Sequence, residues 1–162
     1  MKVVRFFDEH LEEYFLVTSL VVLVVIVFLQ VVMRYVFQNS LTWSEELARY
    51  LFIWQVWIGA SLATKRVRHL KVEILPDSLS PKGKKAINIL ATLISIGFVL
   101  FLLLKSADIT STVFRTNQIT PALGISMAIP YAAVPVGMTL MTIRLLQRLY
   151  IEIRNPISEE VQ

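Results

Sequence analysis

Residues 14–33 read YFLVTSLVVLVVIVFLQVVM, twenty positions without one charged side chain. As a helix they rise about 30 Å, the hydrocarbon thickness of a typical bilayer. β-Branched residues dominate the run, but it is too long for a strand of a soluble sheet, so it reads as a membrane helix. A cleaved signal peptide fits poorly. Lys2 and Arg5 supply a basic end, yet DEHLEE (8–13) follows, and no small-residue cleavage site appears near VVMRYVF (31–37).

Three further runs of similar length lie downstream: 43–63, 86–105 and 127–146. Together they predict an all-α integral membrane protein, one domain over residues 1–162 with four transmembrane helices. Composition agrees. Hydrophobic residues are 56% and charged residues 17% of the chain; soluble domains average about 25% charged. With no cysteine, disulfide frameworks, thiol catalysis and iron–sulfur clusters are excluded. The net charge of +4 needs no nucleic acid to explain it, because the basic residues flank the apolar runs.

Lysine and arginine also set the expected orientation. The N-terminal flank (Lys2, Arg5), the basic loop 64–85 and the C-terminal flank (Arg144, Arg148, Arg154) hold twelve of them. The opposite side has four: Arg34, Arg49, Lys105 and Arg115. Both termini and the loop should therefore be cytoplasmic. Before the first span, Val3, Phe6, Phe7, His10, Leu11 and Tyr14 share one helical face, opposite Asp8, Glu9, Glu12 and Glu13. That pattern predicts a short interfacial helix that turns into the span, in preference to a docking surface. SLSPKGKK (78–85) and TPALGIS (120–126) read as breaks before the third and fourth helices.

The opening of the second span, TWSEELARY (42–50), carries the densest charge near any apolar run. Thr42 and Glu45 have capping-box spacing, and Glu45 and Glu46 sit at the positive end of the helix dipole. Arg49 is one turn from both. Trp43 suits the membrane interface. The centres of all four spans lack Asp, Glu, Lys, Arg and His, whereas transporters place coupling groups near the midplane. Four-helix multidrug exporters need a carboxylate in the first span, and membrane cytochromes need paired histidines there; neither is present. Thr18, Ser19, Gln30, Gln55, Thr92, Ser95, Thr139 and Thr142 read as interhelical packing or hydrogen bonds. Gly59 and Ala63 form a small-xxx-small pair, Trp54 and Trp57 a contact surface, and Pro135 a kink that frees the carbonyl of Tyr131.

RYVFQNSLTWSEELARYLFIWQVWIGASLATKRVRHLKVEILP, residues 34–76, resembles the signature region of the small membrane subunit of TRAP transporters, the DctQ-like family. Arg34, Trp43, Glu45, Glu46, Arg49, Gly59, Ala60 and His69 occur in the family's order, and PALGISMAIPYAAVPVGMTLMTIRLL (121–146) resembles its last helix. The resemblance implies a non-enzymatic inner-membrane subunit without cofactor, working with a large DctM-like elevator subunit and a periplasmic DctP-like binding protein. Sodium-driven import of organic acids follows from it, with sialic acid (SiaQ-type systems) the leading substrate. Under the same resemblance Glu45, Glu46 and Arg49 anchor the large subunit or the first periplasmic loop, with Arg34 a partner for one carboxylate and Trp54 and Trp57 on the packing face. The rival reading is a self-contained small transporter or channel acting as an oligomer.

Overall fold

In the computed structural model residues 2–66 and 80–154 are described. They form four helices: α1 (Lys2–Tyr35), α2 (Thr42–Arg66), α3 (Pro81–Arg115) and α4 (Ala128–Arg154). α1, α2 and α3 contain their expected runs and extend beyond them at both ends, whereas α4 starts one residue inside its run and continues past it to Arg154. The basic loop including His69 lies largely outside the described residues, as do the N-terminal side chains assigned to an amphipathic face.

The N-terminus departs from expectation. Instead of a short interfacial helix followed by a turn, α1 is a single helix of 34 residues, about 51 Å at 1.5 Å per residue. No glycine or proline interrupts residues 2–35, so nothing breaks the hydrogen-bond ladder before the span begins. The helix ends where Val36 N–H donates to Val32 O at 2.9 Å and Gln38 enters the left-handed region at φ 49.

The break before α3 is as the sequence predicts. Ser80 Oγ accepts from Gly83 N–H at 3.3 Å and Pro81 occupies the first turn, where its missing donor costs nothing. The helix passes Lys105 without interruption and stops at Arg115, beyond which Asn117 adopts φ 49. α4 keeps its helical course through Pro135. The carbonyl of Tyr131 that the proline leaves without its usual donor lies 3.3 Å from Thr110 Oγ1 of α3, which also bonds Ser106 O at 2.8 Å.

Among the described residues three helices are long and apolar enough to cross a membrane: 12–35, 82–115 and 128–154. α2 has sufficient length, 25 residues, but a charged start, Gln55, three tryptophans and several small residues lower its mean hydropathy. Its surroundings explain why it tolerates this. α1 packs on α2, α2 on α4, and α4 on α3, so α2 is covered on two sides by protein. α1 is the least covered: Val17, Val21, Val24, Val25 and Phe28 are all exposed, as befits a helix whose solvent is hydrocarbon. The core lies between α3 and α4, where Ile96, Val99, Met138 and Leu145 cluster with Trp57 of α2 against them.

Trp57 reaches that cluster because α2 and α4 meet at Gly137. A Cβ built on Gly137 would lie 2.7 Å from Trp57 Cβ and 2.9 Å from Trp57 O. The close approach foreseen for Gly59 and Ala63 therefore occurs elsewhere within this chain. Gly59 has only ordinary contact, 4.0 Å to Leu16 Cδ2 of α1, and Ala63 is exposed.

Candidate functional site

One turn into α2, Glu46 is buried, at 6% exposure, although both neighbouring charges at Glu45 and Arg49 remain exposed. Its Oε2 accepts from the backbone N–H groups of Ala122 at 2.7 Å and Leu123 at 3.0 Å. Its Oε1 accepts from the Tyr50 hydroxyl one turn along the helix. The carboxylate thus binds the α3–α4 connection to the start of α2. Charge-assisted bonds of this kind are roughly twice as strong as neutral ones.

The loop that supplies these donors is folded on itself. Thr120 N–H donates to Ile125 O at 2.8 Å, Gly124 N–H to Thr120 O at 3.1 Å, and Ile125 N–H to Thr120 Oγ1 at 3.2 Å. Met127 N–H closes the turn on Gln118 O at 2.9 Å. Gly124 has φ +66, a conformation a side chain would strain. Thr120 is 1% exposed. Beside this knot Ser44, fully buried, donates to Leu41 O at 2.7 Å and tightens the entry to α2.

The remaining residues singled out by sequence divide clearly. Arg49 pairs with Glu45 at 3.5 Å on an exposed face, so Glu45 turns along the helix toward Arg49. Arg34, set by sequence against one of the two carboxylates, stands exposed in the last turn of α1 and forms no ion pair among the described residues. Its charge there complements the helix C-terminus. Trp43 is 39% exposed at the start of α2. Trp54 is half-buried, and Trp57 packs inside the chain.

A buried charge pair was not legible as such. Glu12, assigned by spacing to an outward polar face, is instead buried in α1 and faces Arg144 of α4, with Arg144 Nη2 to Glu12 Oε1 at 3.3 Å. The side chains are 9% and 10% exposed for Arg144 and Glu12. Burial costs each charge several kcal/mol unless the other is present, so the pair fixes where α1 crosses the end of α4. Other polar contacts behave as the sequence suggests. Gln55 Nε2 donates to Ser19 Oγ at 3.2 Å between α2 and α1, and Thr92 Oγ1 to Glu152 Oε2 at 3.1 Å between α3 and α4. Thr64, Ser95, Thr139 and Thr142 donate to carbonyls four residues earlier in their own helices.

The site is thus a set of internal ties at the helix ends, with no group of three or more His, Cys, Asp or Glu side chains placed to hold a metal ion among the described residues. Residues 23–155 match the family described as "Tripartite ATP-independent periplasmic transporters, DctQ component". A putative TRAP transporter small permease protein of Haemophilus influenzae is 30% identical over 133 residues, 82% of this chain and 79% of its own length. The sialic acid TRAP transporter small permease protein SiaQ of Vibrio cholerae is 29% identical over 153 residues, covering 93% of this chain and 86% of its own. The isethionate TRAP transporter permease protein DctMQ of Oleidesulfovibrio alaskensis is also 29% identical over 153 residues, 91% of this chain but 24% of that much longer one.

Proposed function

Because the chain belongs to the DctQ component family of tripartite ATP-independent periplasmic transporters, we propose that it braces a large DctM-like membrane subunit during sodium-driven import of an organic acid. It is a small permease subunit of the bacterial inner membrane and not an enzyme. The observation that carries the bracing role is the placement of charge. Every buried charged residue among those described, Glu12, Glu46 and Arg144, engages another part of the same chain. The centres of the four apolar runs 14–33, 43–63, 86–105 and 127–146 carry none. Among the described residues no buried ionisable side chain lacks a counterpart in the same chain, whereas a transport site near the midplane needs one to couple an ion or orient a cargo.

In this reading α2 crosses the membrane with its neighbours, giving four spans and placing both termini with the basic loop in the cytoplasm. The lysine and arginine asymmetry and the packing of α2 between α1 and α4 support it. The Glu46 knot then lies at the periplasmic end. There Trp43, Glu45 and Arg49, exposed beside a rigid loop, suit contact with the large subunit or with the periplasmic binding protein. Gly59 and Trp54, both half-buried on α2, suit contact with a neighbouring helix. Sialic acid is one candidate cargo. Relatives named for sialic acid and for isethionate share the same 29% identity with this chain, so the choice of cargo belongs to the partner subunits.

The oligomeric channel is the weaker reading because hydroxyls that would line a pore bond their own helix carbonyls. Reconstitution in proteoliposomes separates the two. The chain alone is expected to give no sodium or organic-acid flux, and uptake is expected only with the large subunit and the binding protein. Arg49→Ala is expected to reduce assembly or uptake more than apparent substrate affinity. Flux from the chain alone would overturn the proposal.

A further inference from the structure

α2 and α3 each pack against α4 rather than against each other, and this leaves a groove of about 460 Å³ with α4 as its floor. Ala60 and Ala63 keep one wall low, Phe98 forms part of the other, and Met141 and Leu145 line the floor. The groove is graded in polarity. Thr64, Ser95 and Arg148 gather at one end, and the opposite end is wholly apolar. Because α2 and α4 run in one direction and α3 returns in the other, that polar end lies toward the basic loop and the C-terminus. Met141 to Arg148 is seven residues, about 10 Å along the helix, comparable to the outer part of one bilayer leaflet.

Arg148 is held in a particular way. Its Nε donates to Glu152 Oε1 at 3.3 Å, and the other oxygen of Glu152 accepts from Thr92 Oγ1 at 3.1 Å. The carboxylate is therefore engaged on both oxygens by its own neighbours. Both Nη groups of Arg148 are without a hydrogen-bond partner among the described residues, and the side chain is 24% exposed. A guanidinium with its planar fork free, at the head of an apolar trough, has the chemistry of a phosphate site joined to a hydrocarbon site.

We infer that this groove binds one anionic phospholipid of the cytoplasmic leaflet, an acyl chain lying over Ala60, Ala63, Phe98 and Met141 and the phosphate on Arg148. The inference rests on the proposed orientation, which puts Arg148 at the cytoplasmic surface. An anionic headgroup is specified because the phosphate of a zwitterionic lipid is already neutralised by its own ammonium group. A basic residue near an anionic surface contributes about fivefold in binding.

The test is native mass spectrometry of the delipidated full-length chain in micelles, titrated with dioleoyl phosphatidylglycerol or dioleoyl phosphatidylcholine. The wild type should retain one phosphatidylglycerol about fivefold more strongly than phosphatidylcholine. Arg148→Gln should abolish that preference, and Arg148→Lys, which keeps the charge but not the planar fork, should keep only part of it. Ala63→Phe, on an exposed wall position, should block both lipids by filling the trough. Equal binding of the two lipids by the wild type, or unchanged phosphatidylglycerol occupancy in Ala63→Phe, overturns the inference. Loss of co-purification with the large subunit in Ala63→Phe, with lipid occupancy unaltered, would assign the groove to a protein partner instead. The micelle measurement involves neither transport nor assembly, so its failure leaves the bracing role intact, and flux from the chain alone would leave the lipid result intact.

Discussion

Gly137→Ala should destabilise this protein even though alanine is the better helix former. An added Cβ meets Trp57 Cβ at 2.7 Å, Trp57 O at 2.9 Å and Trp57 C at 3.1 Å. The last two are backbone atoms, so no side-chain rotation relieves the contact and α2 must move off α4. Inserting one carbon into a packed seam costs typically 1–3 kcal/mol, roughly, and the backbone obstruction argues for the upper end. Against this, removing glycine from a helix interior returns about 1 kcal/mol. The balance is a loss of about 1–2 kcal/mol, with the core cluster around Met138 and Leu145 partly opened. Gly97 supplies the control, because a Cβ there meets nothing within 4 Å, so Gly97→Ala should be neutral or stabilising by up to about 1 kcal/mol. Thermal unfolding of both variants in the same detergent, followed by tryptophan fluorescence, measures the difference. Gly137→Ala melting at or above the wild type would refute the claim that this glycine sets the α2–α4 distance.

Two further outcomes follow from the buried charges. Glu46→Ala removes the acceptor shared by the Ala122 and Leu123 amides; hydrogen exchange at those two amides should accelerate by at least roughly tenfold, since each loses a charge-assisted bond, and unchanged exchange would show that the loop holds itself. Glu12→Gln or Arg144→Gln alone leaves a buried charge without its counter-ion and should cost about 3–5 kcal/mol, whereas Glu12→Leu with Arg144→Met should recover much of the loss. A double variant whose loss in thermal melts equals the sum of the two single losses would mean that the pair contributes nothing through its mutual attraction.

Part of this architecture is written locally. A run of twenty uncharged residues, a Ser-Pro start to α3 and a basic loop are properties of neighbours in sequence, and hydropathy or capping chemistry reads them directly. For that reason the four helices, the break at Ser80 and the carbonyl freed by Pro135 all appear where the residues say they should. The family could be read in the same way, because its signature is an ordered set of residue types along one segment. The expectation of a turn after the N-terminal amphipathic stretch failed because helical spacing reports a face but not where a helix ends, and no breaker lies between Lys2 and Tyr35.

Which carboxylate is buried, and what it holds, was decided only by packing. Glu45 and Glu46 are adjacent and chemically alike, yet one pairs with Arg49 in solvent and the other is enclosed by a loop 76 residues away at Ala122. A rotation of 100° along the helix separates those outcomes, and which side meets the α3–α4 connection depends on how α2 lies on α4. The same holds for Glu12, whose partner is 132 residues distant, and for Gly137, whose importance comes entirely from the position of Trp57. Composition and periodicity determine that the chain becomes helices in a membrane. The registry of those helices against one another is set by contacts between residues far apart in the chain, where steric fit and the cost of leaving a buried charge unpaired select one arrangement.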